Sequence, residues 1–360
     1  MKKSIVFKIL VIALIFTFVT GCKSSSQTPN FSEESPTDIV SETEPESSAP
    51  QFKLNNLTGE YTLGDNAVGK RPVAVMINNF DSAQSVQAGL GNADIVVESL
   101  AEGGISRLMA VYADITKIGQ IGTIRSARYT YAQHAQSMDA IYVHCGMDDV
   151  YTRPYINSVG IAYFDLGARG SSFREKNSLA YEHTLYTNGS LLTEGINKAK
   201  FRTDIKDQFN TTYFNFNPSE SPVKFTDACT SVKLPLSYSY VTEFKYDAEN
   251  NKYVRYVEGA AQEDYKTKTK TAFSNILVIY TSYQTFEDNY HLRATSSSGE
   301  GLYINGGTYT KINWSKDSAE DRYEITDQNG NEFSLNAGNT WLSLVPKSNS
   351  VEIAPVADPV

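Results

Sequence analysis

The segment ADIVVESLAEGGISRLMAVYA, residues 93–113, decides the fold of this chain. It contains two apolar runs, Asp94–Leu100 and Arg107–Ala113, separated by the short turn Ala101–Gly104. Apolar runs of this length on either side of a glycine turn are typical of paired strands. The segment therefore predicts a β-hairpin whose strands are buried.

The residues around this hairpin alternate between strand and helix patterns. Val73–Ile77 is a continuous apolar run and predicts a buried strand, as does Ala140–Cys145. Ser126–Met138 has apolar residues at helical spacing, and Ser190–Phe201 predicts another helix. This alternation predicts an α/β domain with a mixed sheet over residues 56–218.

Beyond that domain the patterns are those of short strands. Val241–Tyr246 and Tyr253–Val257 flank a polar turn, and a second hairpin is predicted from Tyr323–Thr326 and Glu332–Leu335 around Asn329-Gly330. Trp341–Val345 is predicted to close this domain. We therefore expect a mostly antiparallel β domain over residues 219–350 and a tail over 351–360. The fold class is predicted to be α+β.

The N-terminus has the pattern of a secretory signal. Lys2 and Lys3 precede an apolar run that ends in Val19-Thr20-Gly21-Cys22. Small residues directly before a cysteine resemble the cleavage site of bacterial lipoproteins, which predicts a signal peptide over residues 1–21 and acylation of Cys22. The alternative is an ordinary signal peptide with an incidental cysteine. Residues 22–55, rich in Ser, Thr, Pro and Glu, are predicted to be a disordered tether.

Composition and charge argue against several classes of function. The formal net charge is -9 without a basic stripe, which argues against nucleic acid as a partner. No second apolar run reaches the ~20 residues of a spanning helix. We therefore expect the protein to be attached to the membrane through lipid on Cys22. We expect a protein on the outer face of the bacterial cytoplasmic membrane. Common phosphate-loop, nucleophile-elbow and zinc-helix motifs are missing, and no cofactor or metal is predicted.

The best candidate site is Thr123–Arg128. Ser126 is predicted to cap the following helix, and Arg125 and Arg128 are predicted to lie on one side of its first turn. Two guanidinium groups at a helix start can bind a phosphate or carboxylate. The alternative is that these arginines pair with Glu98 and Glu102 and stabilise the sheet.

Histidines offer further candidates. His183 lies in a polar loop after a basic, glycine-containing stretch and could act as an acid, a base or an anion ligand. His144, Cys145 and Asp148 have loose metal-ligand spacing, while two thiols that are free or buried are favoured over a disulfide between Cys145 and Cys229. The candidate anion-binding set is Arg107, Arg125, Ser126, Arg128, Arg174, His183 and Glu102.

Several of these segments resemble a known family. The stretches 71–79, 93–98, 101–110 and 122–128, and in the C-terminal part 301–306, Trp314 and 338–346, are similar to bacterial lipoproteins of the YerB type. That family has an N-terminal domain of unknown function and a separate C-terminal domain. The resemblance implies a lipoprotein of the envelope and implies no reaction.

Two functions are therefore weighed. The first is a non-catalytic module that binds a cell-wall ligand or an envelope protein through the Arg125 region or an exposed strand edge. The second is an enzyme that acts on an anionic, phosphate-bearing envelope substrate. Convergence of Arg107, Arg125, Arg128, Arg174 and His183 in one cleft would favour an anion site.

Overall fold

The computed structural model describes residues 52–355. In residues 52–188 the strands are β1 (Lys53–Leu54), β2 (Tyr61–Leu63), β3 (Val73–Ile77), β4 (Ile95–Leu100), β5 (Ser106–Tyr112), β6 (Gln120–Gly122), β7 (Ile141–His144), β8 (Tyr163–Asp165), β9 (Phe173–Arg174) and β10 (Leu185–Asn188). The helices are α1 (Asp81–Gln84), α2 (Tyr129–Ser137), α3 (Thr152–Val159), α4 (Leu166–Arg169) and α5 (Gly189–Lys198). Single 3-10 turns span Leu90–Asn92, Glu102–Gly104, Ile115–Lys117, Tyr181–His183 and Asp207–Phe209.

The rest of the described chain consists of strands and loops. These strands are β11 (Phe216–Asn217), β12 (Asp227–Ala228), β13 (Ser231–Pro235), β14 (Val241–Asp247), β15 (Lys252–Val257), β16 (Ala260–Ala261), β17 (Ala272–Phe273), β18 (Asn275–Thr281), β19 (Tyr283–Thr285), β20 (Leu292–Ala294), β21 (Ser298–Asn305), β22 (Thr308–Ser315), β23 (Glu324–Thr326), β24 (Leu335–Asn336), β25 (Thr340–Pro346) and β26 (Glu352–Ala354). The fold is mostly β with few helices, which agrees with the coarse α+β prediction.

Both ends of the folded region differ from the sequence prediction. The predicted signal peptide, Cys22 and the tether up to residue 51 lie outside the described residues, as do residues 356–360. Lys53 and Leu54, predicted as tether, form β1, which pairs with β2. Residues 352–354, predicted as tail, form β26 and pair with β13. Edge strands this short carry too little apolar pattern to be recognised from sequence.

The elements around the deciding segment are confirmed. Strands β4 and β5 pair antiparallel across a single 3-10 turn, and Glu98 lies opposite Leu108. Strand β3 pairs with β5, and all five of its residues are buried. A strand buried on both faces requires an unbroken apolar run, which is the pattern that predicted it.

Helix α2 begins later than predicted. It starts at Tyr129, its N-cap position is Arg128, and no side chain caps it, so the prediction that Ser126 caps this helix is wrong. The segment before it is extended because its backbone bonds to two strands. The Arg125 amide donates to the Met76 carbonyl at 3.1 Å, and the Cys145 amide donates to the Arg125 carbonyl at 3.1 Å.

A carboxylate stabilises the start of the next helix, α3. The Asp148 carboxylate accepts hydrogen bonds from the Tyr151 and Thr152 amides at 2.7 and 2.9 Å, just ahead of α3. Donors at a helix start have no partner within the helix, and a carboxylate stabilises them. Asp148 is thereby committed to this helix.

An eleven-stranded sheet forms the centre of the fold. Its order is β12-β22-β21-β18-β25-β4-β5-β3-β7-β8, with β23 added to β22. Strands β3, β7 and β8 are parallel, and β4 has the same direction because both β3 and β4 pair antiparallel with β5. The carboxyl ends of these strands therefore meet at one edge of the sheet, which we call the carboxyl edge.

Strand β25 joins the two halves of the sequence. It pairs in parallel with β18 on one side and with β4 on the other, with Trp341 opposite Val96. The C-terminal half is therefore less uniformly antiparallel than predicted. The predicted boundary near residue 218 stays a prediction, since a single sheet receives strands from both sides of it.

A second sheet covers the C-terminal half. Its order is β16-β15-β14-β13-β26, with β17 added to β15, and its pairs are antiparallel as predicted. Phe244 and Phe273 of this sheet pack edge-on against Trp341 of the central sheet. The hairpin predicted around Asn329-Gly330 is wrong in part, because β24 pairs in parallel with β11 and only a single bridge joins Thr326 to Glu332.

Candidate functional site

Most of the predicted site residues lie at the carboxyl edge of the central sheet. Glu102 follows β4, Arg107 is the second residue of β5, and the segment 123–128 crosses the ends of β3 and β7. His183 ends the 3-10 turn beside this segment. In sheets of this kind the loops at the carboxyl ends of the strands are where ligands bind.

Glu102 organises two of the arginines. The Arg128 Nε atom donates to the two oxygens of its carboxylate, at 2.7 and 2.8 Å. An Arg107 nitrogen lies 3.9 Å from the same carboxylate. Arg107 also donates to the Ser126 carbonyl at 3.0 Å. The Glu102 side chain is nearly fully buried, and the two arginines are largely so. Arg107 and Arg128 are therefore held in place by an internal anion.

Arg125 differs from its neighbours. Its backbone is fixed by Met76 and Cys145, yet its guanidinium group makes no hydrogen bond and no ion pair with any residue between 52 and 355. Burial lowers the pKa of Arg125, while the charge of Glu182 acts in the opposite direction and that of Arg128 reinforces the decrease. A half-buried cation without a partner is the feature of this edge that most favours an external anion.

His183 lies next to this cation. Its Nδ1 atom is 2.7 Å from the Asn78 amide nitrogen, and its ring stacks on Phe80 with centroids 5.7 Å apart. Burial lowers the pKa of His183, and the charge of Arg125 lowers it further. The ring is therefore mostly neutral at pH 7, and Asn78 sets its orientation.

The remaining predicted residues have other roles. Arg174 is exposed and donates to the Tyr181 carbonyl at 2.6 Å and to the Thr184 hydroxyl at 3.0 Å. Its guanidinium carbon also lies 3.4 Å from the centre of the Tyr181 ring. Ser126 contributes its backbone carbonyl to Arg107. Of the predicted cluster, Arg107, Arg125, Arg128, His183 and Glu102 come together, and Arg174 lies on the outside.

The alternative prediction, that the arginines pair with Glu98 and Glu102, is confirmed for Glu102 and wrong for Glu98. Arg128 pairs with Glu102, but Glu98 bonds to neither arginine. The buried Glu98 carboxylate accepts hydrogen bonds from Ser106, Thr242, Trp341 and Ser343. Three of those four donors come from residues far away in sequence, which is why no local pattern indicated them.

Sequence reasoning missed two residues of this edge. Asn78 positions His183, and Asn79 donates to Ser106 at 2.7 Å while accepting from Arg255 at 2.9 Å. Both asparagines are almost fully buried. Paired amides directly after a buried strand were the available signal, because buried polar side chains need partners.

The loose metal-ligand pattern around His144 does not form a ligand set. Across residues 52–355, no group of three or more His, Cys, Asp and Glu side chains has the arrangement of a metal site. His144 is enclosed between the rings of Tyr142 and Tyr163, and burial lowers its pKa to about 4. Cys145 and Cys229 are both free thiols, as favoured from the sequence.

The role of Glu102 can be tested by removing its charge. We expect Glu102→Gln to lower the free energy of unfolding by about 1.5 kcal/mol, because it weakens charge-assisted hydrogen bonds to buried arginines. Urea unfolding followed by circular dichroism measures this. Glu249→Gln, on an exposed turn, is the matched control. Equal stability of the two variants would show that Glu102 does not hold the arginines.

Two family models match the chain. "Protein of unknown function (DUF3048) N-terminal domain" matches residues 57–202, and "Protein of unknown function (DUF3048) C-terminal domain" matches residues 232–342. The first contains the whole of the arginine cluster. The second contains β25, which completes the central sheet beside β4.

A named relative and a solved structure agree with these matches. The chain is 26% identical over 289 residues to "Putative lipoprotein YerB" of Bacillus subtilis (strain 168), covering 79% of this chain and 84% of the relative. The crystal structure of YerB protein from Bacillus subtilis matches with a TM-score of 0.69 at 24% identity, over 83% of this chain and 99% of that one. That likeness shows the fold. None of the helices in residues 52–355 is both long enough and apolar enough to cross a bilayer.

Proposed function

We propose that this chain, which belongs to the family of the two DUF3048 domains, is a lipid-anchored envelope protein that binds an anionic ligand beside Arg125. The proposal has two parts. Cys22 anchors the protein to the outer face of the cytoplasmic membrane, and the carboxyl edge of the sheet provides the binding site. Each part has its own support.

Support for the anchor comes from the sequence and from the relative. The chain has small residues directly before Cys22, and the Bacillus subtilis relative carries the word lipoprotein in its name. Acyl chains on a cysteine attach a protein firmly when more than one is present. An anchor of this kind keeps the folded part close to envelope polymers.

Support for the anion site rests on one observation: the Arg125 guanidinium group has no hydrogen-bond or ion-pair partner among residues 52–355. Arg107 and Arg128 lie beside it and are held by Glu102. The three arginines and the Glu102 carboxylate together have a net charge of +2. The surface residue Glu182 offsets part of this positive charge. A phosphate group has the charge and the acceptor oxygens to fit such a guanidinium.

Binding is favoured over catalysis by the chemistry of the neighbours. Burial raises the pKa of the Cys145 thiol, so this cysteine next to Arg125 is protonated at neutral pH and is a weak nucleophile. The Nδ1 atom of His183 is taken by Asn78. The alternative remains an enzyme that acts on a phosphate-bearing envelope substrate.

Calorimetric titration of the protein with pyrophosphate and with poly(glycerol phosphate) tests the proposal. We expect Arg125→Ala to weaken binding at least tenfold, because it removes the cation that lacks an internal partner. Arg153→Ala is the matched control, since Arg153 is an exposed arginine that pairs with Asp149. Unchanged affinity in Arg125→Ala, or no binding of either probe, would contradict the site. Release of inorganic phosphate during the titration would favour the enzyme.

A further inference from the structure

A cavity of about 550 Å³ opens at the edge of the sheet opposite the arginine cluster. Pro72, just before β3, and Ala113, just after β5, line it, as does Met138 just after α2. These positions are at the amino ends of the parallel strands and at the far end of α2. The cavity is therefore separate from the Arg125 site, and its size is typical of small-molecule pockets.

The wall of this cavity is mainly apolar. The apolar side chains that line it include Leu57, Leu63, Ala67, Met138, Ile205 and Tyr213. Leu57, Leu63, Ala67 and Met138 are buried and belong to the core of the protein. An apolar wall of this depth favours a hydrocarbon ligand.

The mouth of the cavity carries exposed apolar side chains. Leu54 and Val68 line the cavity and are 38% and 44% exposed. Tyr61, opposite Leu54 in the β1–β2 ladder, is 69% exposed, and Phe52 is 48% exposed. Exposed apolar side chains concentrated in this way mark binding sites for lipids or proteins.

Charge at the mouth is mainly positive. Lys53, Lys70 and Arg322 line the cavity, together with the single acidic residue Asp65. Lys70 pairs with Asp204, whereas the Lys53 side chain has no ion-pair partner in residues 52–355. The mouth thus combines an apolar cavity with a cation suited to an anionic headgroup.

From these observations we propose that the cavity binds one acyl chain of an anionic lipid supplied by the bilayer. The position of the mouth supports the bilayer as the source. Lys53, the second described residue, lines the cavity, and residues 23–52 connect it to Cys22, the proposed anchor. Burial of each methylene group adds to the affinity, so even part of an acyl chain would bind measurably.

The proposed acyl cavity and the Arg125 site lie at opposite edges of the central sheet, the cavity at the amino ends of the parallel strands and Arg125 at their carboxyl ends. The lipid proposal uses the Cys22 anchor only to locate the bilayer, and it does not depend on ligand binding at Arg125.

The test uses the mature chain, residues 22–360 with Cys22→Ser, so that no attached lipid competes. Fluorescence of cis-parinaric acid reports occupation of the cavity, and lysophosphatidylglycerol and lysophosphatidylcholine are added as competitors. We expect both lipids to displace the probe and the anionic one to do so at lower concentration. Lys53→Gln is expected to reduce that preference about fivefold, the equivalent of about 1 kcal/mol for the loss of one basic residue.

Variants at the mouth separate specific from general binding. Val68→Glu and Leu54→Glu are expected to weaken probe binding at least tenfold, since each introduces a charge into the apolar entrance. Val241→Glu is the matched control, because Val241 is 47% exposed and lies outside this cavity. Thermal unfolding checks that all three variants fold, and having two mouth variants allows for the failure of one.

Three results would overturn the proposal. One is the absence of probe binding to the parent protein. Another is equal weakening by Val241→Glu and Val68→Glu, and the third is full binding by both mouth variants. None of these results affects the pyrophosphate titration, so failure of the lipid site and failure of the Arg125 site can be told apart.

Discussion

Replacement of Glu98 by alanine is expected to lower the free energy of unfolding by about 3–5 kcal/mol, the typical cost of removing one member of a buried charged pair. Glu98 is fully buried, and the buried partner charge is Arg255. Burial raises the pKa of Glu98, whereas the charge of Arg255 lowers it. The charge of Arg255 therefore offsets part of the cost of burying this carboxyl group.

Hydrogen bonds connect this pair without direct contact. Arg255 donates to Asn79 at 2.9 Å, Asn79 donates to Ser106 at 2.7 Å, and Ser106 donates to Glu98 at 3.1 Å. Trp341 also donates to Glu98 at 3.0 Å, and the Arg255 guanidinium group lies 5.2 Å from the centre of its ring. Loss of the carboxylate therefore leaves several buried donors unpaired.

The location of this hydrogen-bond network adds to the stability that Glu98→Ala is expected to lose. Glu98 belongs to β4, Arg255 to β15 and Trp341 to β25, so the network joins the segments matched by the two family models. We expect urea unfolding of Glu98→Ala to show the full decrease of about 3–5 kcal/mol in the free energy of unfolding. Glu249→Ala, on an exposed turn, is expected to stay within about 0.5 kcal/mol of the parent.

A double variant identifies the cause. If the loss comes from an uncompensated Arg255, then Glu98→Ala combined with Arg255→Met recovers part of it, since no charge is then buried alone. A double variant that loses the sum of both single effects would show that packing, and not charge, dominates at this position.

Acidification is expected to destabilise the protein through His134 by about 3 kcal/mol between pH 7 and pH 4. Burial, together with the charge of Lys316, lowers the pKa of His134 from its ordinary value of 6.5 to about 4. Its ring nitrogens bond to the Thr130 carbonyl at 2.8 Å and the Tyr323 hydroxyl at 2.9 Å. The folded protein therefore holds this histidine neutral.

The sign follows from which state takes up the proton first. The unfolded chain protonates His134 near pH 6.5 and the folded protein near pH 4, so stability is present above 6.5 and is lost as the pH falls toward 4. His144 acts in the same direction. Asp94 acts in the opposite one, because burial raises its pKa to about 6.

A comparison of variants isolates His134 from these other groups. His134→Gln is expected to be less stable than the parent at pH 7 but to lose about 3 kcal/mol less on going to pH 4. Urea unfolding at pH 7, 5.5 and 4 measures both. His291→Gln, at an exposed loop where His291 pairs with Asp288, serves as the histidine control and should retain most of the parent's acid loss. Parallel curves for the parent and His134→Gln would disprove the assignment.

Local features of the fold could be predicted from the sequence. Strand β3 and the β4–β5 hairpin both follow from apolar runs and turn residues within a few positions of each other. The arginine cluster could also be located, because its residues flank one turn and one short segment. Ser126 was assigned the wrong role because the extended backbone of 125–128 is imposed by β3 and β7, and not by local preference.

The amino-acid sequence by itself determined where the strands and the arginines lie along the chain, because burial on both faces demands apolar runs and turns demand glycine. Only the tertiary structure decided which groups meet. Insertion of β25 between β4 and β18 brings Trp341 to Glu98, and Glu102 pairs with Arg128 while Arg125 has no partner among residues 52–355. Such pairings join residues far apart in sequence and depend on how whole surfaces pack. Short-range sequence patterns therefore do not predict them.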